Sequence, residues 1–345
     1  MNTTKYVIKL RPYSDRLWTN KSPLITHLDV ELTERCNNNC IHCSINLPQN
    51  DRDAQSRELS RAEWQRILKE AAELGVISIR FTGGEPLLRE DFTELYLFTR
   101  KLGMKVILFT NARNVTPGLV DLLVRFPPLE KLEVSVYGLN RRSYEKVSRK
   151  PGSYREFRRG VDLLLQNKIP FLVKGALLPA NKMEIDEFET WASTLPGMDQ
   201  PPSFSMHFEL RGRRDSKSKN RLIESLRISP QESLKVLSRH TQSYIQAMNQ
   251  FCQKFMGPPG EKLFTCGAGI GGCVDAYGHY QPCLSLRAPE MSYDLKTGTL
   301  KDALTRFFPK LQNLDATNPD YLERCSRCFL RGLCQQCPAK SWSEH

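Results

Sequence analysis

Cys36, Cys40 and Cys43 stand in the spacing C-x3-C-x2-C on one short loop, RCNNNCIHC, with no fourth cysteine nearby. A structural zinc ion takes four ligands, usually as two pairs, whereas an iron–sulfur cube held by three thiolates keeps one iron open to a further ligand. The spacing therefore points to iron–sulfur ahead of zinc. A second group, Gly83-Gly84-Glu85-Pro86, ends the apolar run SIRFTGGEP. Its glycines let backbone approach a ligand, and Glu85 can accept from an ammonium group. A third group is C-terminal: Cys266, Cys273 and Cys283, then Cys325, Cys328, Cys334 and Cys337 as C-x2-C-x5-C-x2-C-Pro. Two C-x2-C pairs read in general as a zinc knot, but a gap of five residues is short for one. Cys252 falls in a long helical stretch and reads as a buried core thiol.

Positioning these groups requires strands that end where they begin. HLDVELT, from residue 27, runs directly into the cysteine loop. The next helix starts at Ser60 with Glu63 as a capping box and stops at Gly75, and SIRFTGGEP follows. KVILFTNA, KLEVSVYG, FLVKGALL and SFSMHFEL (203–210) continue the rhythm. Six strands alternating with helices predict an α/β fold with a parallel sheet, an open doubly wound sheet or a partial β/α barrel, with ligands at the strand C-termini. After Pro230 comes a long helix, then the break MGPPGEK, then a segment with a hairpin, VDAYGHYQPCL, and one helix, TLKDALTRFFPKL. The boundaries drawn are an N-terminal extension over 1–26, a barrel over 27–228, a helical bridge over 229–263 and a cysteine-rich unit over 264–345, small enough to need stapling by metal.

With 345 residues the chain fits about two folding units, and 40% hydrophobic with 26% charged residues excludes disorder. The net charge of +12 admits nucleic acid, an acidic peptide or an anionic cofactor. The basic residues are scattered except for Arg211, Arg213, Arg214, Lys217 and Lys219. That cluster, with Asp215, is either a solvated loop or a grip for a carboxylate or acidic peptide. His207 reads as core or barrel interior, and Tyr137 and Asp294 as candidate proton or hydrogen donors. Eleven cysteines without an export signal imply reduced, cytoplasmic thiols, and no apolar run reaches the roughly 20 residues of a membrane span.

Taken together, the cysteine loop after strand one and GGEP after strand two resemble the radical S-adenosylmethionine (SAM) superfamily, with Asn111 in FTNA, Ser135 in SVYG, Arg149 before PGSY and Asn181 following in order. The resemblance implies a partial (β/α)6 TIM-like barrel in which Cys36, Cys40 and Cys43 hold a [4Fe–4S] cluster whose open iron chelates SAM. Reductive cleavage then gives a 5′-deoxyadenosyl radical that abstracts a substrate hydrogen. It implies further that the Gly83–Pro86 turn, through Glu85, meets the methionyl amine, and that Asn111, Ser135 and Arg149 meet ribose or carboxylate. His42, where the family more often has Tyr or Phe, would pack near the adenine. The last segment resembles the SPASM extension of peptide maturases. That likeness implies one or two auxiliary [4Fe–4S] clusters, the first on Cys266, Cys283 and Cys337 with Cys273 as fourth ligand, the second on Cys325, Cys328 and Cys334. The final spacing is x2 where x3 is usual, and no cysteine follows Cys337, which implies an open or non-cysteine site or a truncated chain. The function expected is RiPP-type modification of a peptide or protein: a crosslink, thioether or oxidation. A reductase, flavodoxin or ferredoxin would supply electrons. About 26 residues before the first strand are too few for a leader-recognition domain, so the barrel or a separate protein would read a leader. The alternatives are a radical SAM enzyme for a small molecule, porphyrin-type or sugar, and a zinc- or cluster-stabilised nucleic-acid-binding protein.

Overall fold

The computed structural model describes residues 25–255, 260–264, 271–328 and 337–344. Cys266, Cys334, the Cys252 side chain and nearly all of the N-terminal extension lie outside the described residues.

Six parallel strands follow one another: β1 (His27–Thr33), β2 (Ser78–Gly83), β3 (Lys105–Thr110), β4 (Leu132–Val136), β5 (Phe171–Ala176) and β6 (Ser203–Ser205). Helices lie between them: α1 (Arg61–Glu73), α2 (Phe92–Lys101), α3 (Pro117–Arg125), α4 (Arg141–Ser148), α5 (Ser153–Gln166) and α6 (Ile185–Ser193). The periodicities explain why. In α1, Trp64, Ile67, Leu68 and Ala71 recur at helical spacing and are buried, the Ser60–Glu63 capping box closes its start, and Gly75 with φ +88° stops it. In the strands, Ile79, Phe81, Val106, Leu108, Val134 and Val173 face the helices and are buried. The alternate residues Arg80, Thr82, Phe109, Glu133, Ser135 and Lys174 face the lumen of a partial barrel.

The C-terminal segment joins that sheet. Strand β7 (Cys273–Val274) lies parallel to β1 with Cys273 opposite Asp29, and β8 (His279–Gln281) and β9 (Tyr293–Asp294) continue antiparallel. The full order is β9-β8-β7-β1-β2-β3-β4-β5-β6. Val274, Tyr280, Leu295, Leu300 and Phe308 belong to the same apolar core as the barrel helices.

Two expectations are corrected. The sixth strand ends at Ser205 instead of Leu210, because its partner β5 ends at Ala176 and the last link across is Leu177 N–H to Ser205 O (2.9 Å). The long helix after Pro230 is broken: beyond a separate α7 (Lys217–Leu226), α8 (Pro230–Leu237) is followed by a 3-10 turn at Ser238–His240 and by α9 (Thr241–Phe255). Among the described residues no helix is long and apolar enough to cross a membrane.

Candidate active site at the strand C-termini

The C-terminal ends of β1 to β4 surround a cavity of about 200 Å³. Eight residues singled out in the sequence line it: Cys36, Cys40, Cys43, His42, Gly83, Gly84, Asn111 and Ser135. Tyr137, offered as a donor, lines it too, with its hydroxyl near the Cys40 sulfur.

Backbone ties hold the cysteine loop in place. The last turn of α4 leaves carbonyls unsatisfied, and two of them accept from the loop: Ser148 O from Asn39 N–H (2.8 Å) and Val147 O from Ile41 N–H (3.0 Å). Lys219 Nζ donates to Cys40 O (2.6 Å). Arg113, buried after β3, donates to Asn37 O and Asn38 Oδ1 (2.7 Å) while its other face holds Glu156. Asn111 Nδ2 donates to Asn37 Oδ1 (2.7 Å). Below, Arg35 forks onto Glu58 (2.8 and 3.0 Å). Arg113 and the α4 carbonyls carried no local signal, since their partners lie about 75 and 110 residues away.

The glycines of GGEP line the cavity and also serve the protein's own packing. A Cβ on Gly83 would lie 2.2 Å from Thr33 O and one on Gly84 2.3 Å from Arg35 O, so bare glycine lets β2 close against the root of the cysteine loop. Glu85 is wholly buried and accepts from Thr110 Oγ1 (2.8 Å), Asn111 N–H (2.8 Å) and Leu87 N–H (3.2 Å). Burial outweighs these donors and pushes its carboxyl up to about 7. Pro86 starts the turn behind it. Arg149 is exposed at the left-handed end of α4, and Asn181 is a structural brace, donating to Tyr137 O and Ala176 O.

Electrostatically, the site disfavours free thiolates. Burial and then the neighbouring sulfurs push Cys40 up to about 12 and raise Cys36. Buried, mutually repelling thiols around one cavity need a cationic core to become ligands, which a [4Fe–4S] cluster supplies, one iron per sulfur, so the donor set fits that group. Among the described residues no three Cys, His, Asp or Glu gather around a single ion. His42 packs on Phe208 (4.8 Å between centroids) and Tyr137 (5.6 Å), and burial with Lys219 nearby pushes it down to about 3, an uncharged ring.

In the basic loop after β6, Arg211 and Arg213 are tied into the protein, while Arg214, Asp215 and Lys217 are exposed. Arg211 and Arg213 both grip Asp215, Arg213 also donates to Ile45 O (2.9 Å), and Arg214 stacks on Trp342 (3.9 Å). Arg213 also pairs with the buried Glu34, which accepts from Tyr277 Oη (2.9 Å) and Arg287 (3.3 Å); Arg287 in turn holds Glu31 (2.6 Å). This junction joins the root of the cysteine loop to the C-terminal segment. Sequence reasoning missed it because each partner is more than 150 residues from Glu34. His207 is exposed, neither core nor lumen, and Asp294 sits exposed on β9 at the far edge of the sheet. Cys283 and Cys337 pack against one apolar cluster with Leu286, Ala288 and Ala339. Cys273 lies buried in the sheet beside Glu31 and Arg287, and Cys325 and Cys328 share one turn (3.2 Å, N–H to O).

A partial β/α barrel with three free thiols and a glycine turn at its strand ends agrees with a radical SAM enzyme, and residues 30–192 match the Radical SAM superfamily. The match takes in a little under half of the chain. The chain is 25% identical over 331 residues to the AdoMet-dependent heme synthase of Methanosarcina barkeri, covering 91% of each chain. It is 30% identical over 160 residues to the PqqA peptide cyclase of Rhizobium meliloti, covering 46% of this chain and 41% of that one. Among solved structures, anSMEcpe with bound AdoMet matches with TM-score 0.59 at 13% identity, over 90% of this chain and 88% of that one. Streptococcus suis SuiB bound to S-adenosylmethionine matches with TM-score 0.51 at 17% identity, over 92% and 74%. At these identities the solved structures speak to the fold.

Proposed function

We propose that this chain is a radical SAM oxidoreductase that abstracts hydrogen from a peptide or protein substrate and completes an oxidative modification with the help of iron–sulfur groups in a SPASM-type C-terminal segment. The observation that carries the reading is the meeting of Cys36, Cys40 and Cys43 with the Gly83–Gly84 turn on one cavity. When bound there, the cluster and SAM supply the electron and the sulfonium from which the 5′-deoxyadenosyl radical comes. The protein's own part is to fix that loop through Arg113, Lys219 and the α4 carbonyls, and to offer Asn111 and Ser135 as polar contacts and His42 as a neutral ring for the nucleobase. Cys283 and Cys337 on one cluster, and Cys325 with Cys328 on one turn, support auxiliary [4Fe–4S] sites, with Cys266 and Cys334 completing the sets. The boundaries 27–228, 229–263 and 264–345, a cytoplasmic setting and a flavodoxin- or ferredoxin-type donor complete the proposal. Peptide cyclases among the relatives support the peptide substrate. A second reading, a porphyrin-type small molecule, is favoured by the alignment with the heme synthase, which runs through 91% of both chains.

The test is 5′-deoxyadenosine release by the anaerobically reconstituted protein given SAM and dithionite. Release is expected from the native chain and absent from the Cys36→Ala, Cys40→Ala, Cys43→Ala triple variant. Equal release from both sinks the proposal.

A further inference from the structure

The barrel lumen holds two cations that the cavity above does not use. The Arg80 guanidinium and the Lys174 ammonium lie 4.7 and 4.9 Å from the centroid of one ring, Phe109, and that ring also lines the cysteine cavity. Each cation has one carboxylate partner, Asp29 for Arg80 (2.8 Å) and Glu133 for Lys174, and each keeps donors in reserve. Arg80 Nε is buried with no acceptor. The side chains remain 25% and 42% exposed, so the lumen reaches both. The sheet edge beside Lys174 is exposed as well. Lys174 is in register with Ser203 of β6, the last strand of the sheet, where Ser203 and Ser205 are exposed. Along the sheet from that edge, Lys174 stands on β5, Phe109 on β3 and Arg80 on β2.

We propose that Arg80 and Lys174 anchor a carboxylate of the substrate, with Phe109 as the apolar floor that carries the adjoining carbons toward the cavity. A planar guanidinium fork and a compact ammonium suit a carboxylate. Asp29 and Glu133 already balance the two positive charges, so the anchor acts through the donors left in reserve, directional hydrogen bonds that one carboxylate group accepts. The inference deepens the proposed function and rests on it only for what then happens to the anchored substrate.

The experiment is calorimetric titration of the reconstituted full chain with three probes: acetyl-Gly-Glu-Gly-amide, its Gln counterpart, and glutarate. The Glu peptide or glutarate binds saturably, the Gln peptide more weakly, and Arg80→Gln and Lys174→Gln each weaken binding about tenfold, the worth of one charge-assisted hydrogen bond. Binding of the Glu peptide alone identifies an acidic peptide side chain as the source, and of glutarate alone a small carboxylated molecule. If neither binds, if both variants bind like the native chain, or if SAM displaces the probe, the anchor is wrong. Should Arg80→Gln fail to fold, the more exposed Lys174→Gln decides. Release of 5′-deoxyadenosine is measured on the same native protein: release without probe binding removes the anchor and leaves the proposed function, and probe binding without release does the reverse.

Discussion

Gly84→Ala tests how the cavity is built. The added methyl would stand 2.3 Å from Arg35 O and 2.6 Å from Glu34 O, against an ordinary carbon contact of about 3.5 Å, so one side has to retreat by about 1 Å. Neither side yields freely. Gly84 N–H donates to Thr33 O (2.7 Å) and Glu85 N–H to Arg35 O (3.0 Å), which makes the obstacle backbone held by its own hydrogen bonds. Overpacking of this kind costs about 1–3 kcal/mol. The residue displaced next is Cys36, and a misplacement of about 1 Å at a reacting centre costs on the order of 100-fold in rate. The expected outcome is a lowered unfolding midpoint and 5′-deoxyadenosine release reduced about 100-fold. Gly118→Ala is the control: its nearest neighbour would be Thr116 Oγ1 at 3.9 Å in the first turn of α3, so it folds as well as the native chain or up to about 1 kcal/mol better. If Gly84→Ala melts and cleaves SAM like the native protein, the close approach is not what the glycine is for.

Glu34→Gln leaves Arg213 and Arg287 around a buried neutral amide and is expected to destabilise the chain by about 3 kcal/mol in denaturant unfolding; a change within a few tenths would mean the junction is relaxed by water. Replacing Cys325 and Cys328 together by Ala is expected to spare SAM cleavage and to lower product formation and solubility, read by 5′-deoxyadenosine and product mass side by side; normal turnover would remove the second auxiliary cluster from catalysis. Hydrogen bonds from Arg211, with both arginines nearby, hold Asp215 down at about 2, so the stability it contributes is present above its ordinary value near 3.8 and is lost as pH falls through about 2. Metal-free Asp215→Asn is therefore less stable than the native chain at pH 6, the gap closing below pH 3; a gap independent of pH would assign the effect to packing.

How far the sequence could be read depended on the reach of the interactions. The cysteine loop, GGEP, the Ser60–Glu63 cap and five of six strands are local patterns and stand where the pattern puts them. The sixth strand was overextended because Met206–Leu210 has strand-like composition, and nothing local reveals that β5 ends before it can pair. Glu85 reads as a ligand from its neighbours, whereas its hydrogen bonds come from Thr110 and Asn111 on the next strand. The Arg211–Asp215 loop reads as surface because its charges look unmatched in sequence; Glu34, which matches one of them, is on the other side of the barrel sequence.

The pairing of β7 with β1 also dictates an order of events during synthesis. Asp29 waits for Cys273 through about 240 residues of chain, roughly 10–50 s at 5–20 residues per second. For that interval the outer edge of β1 is an unpaired strand edge, with Glu31 on it and Glu34 just past its end still without Arg287 and Tyr277. A charged edge resists adding foreign strands, and Glu31 and Glu34 are placed to supply that charge. The same carboxylates that Arg287 later neutralises across the junction would first protect the growing barrel from aggregation.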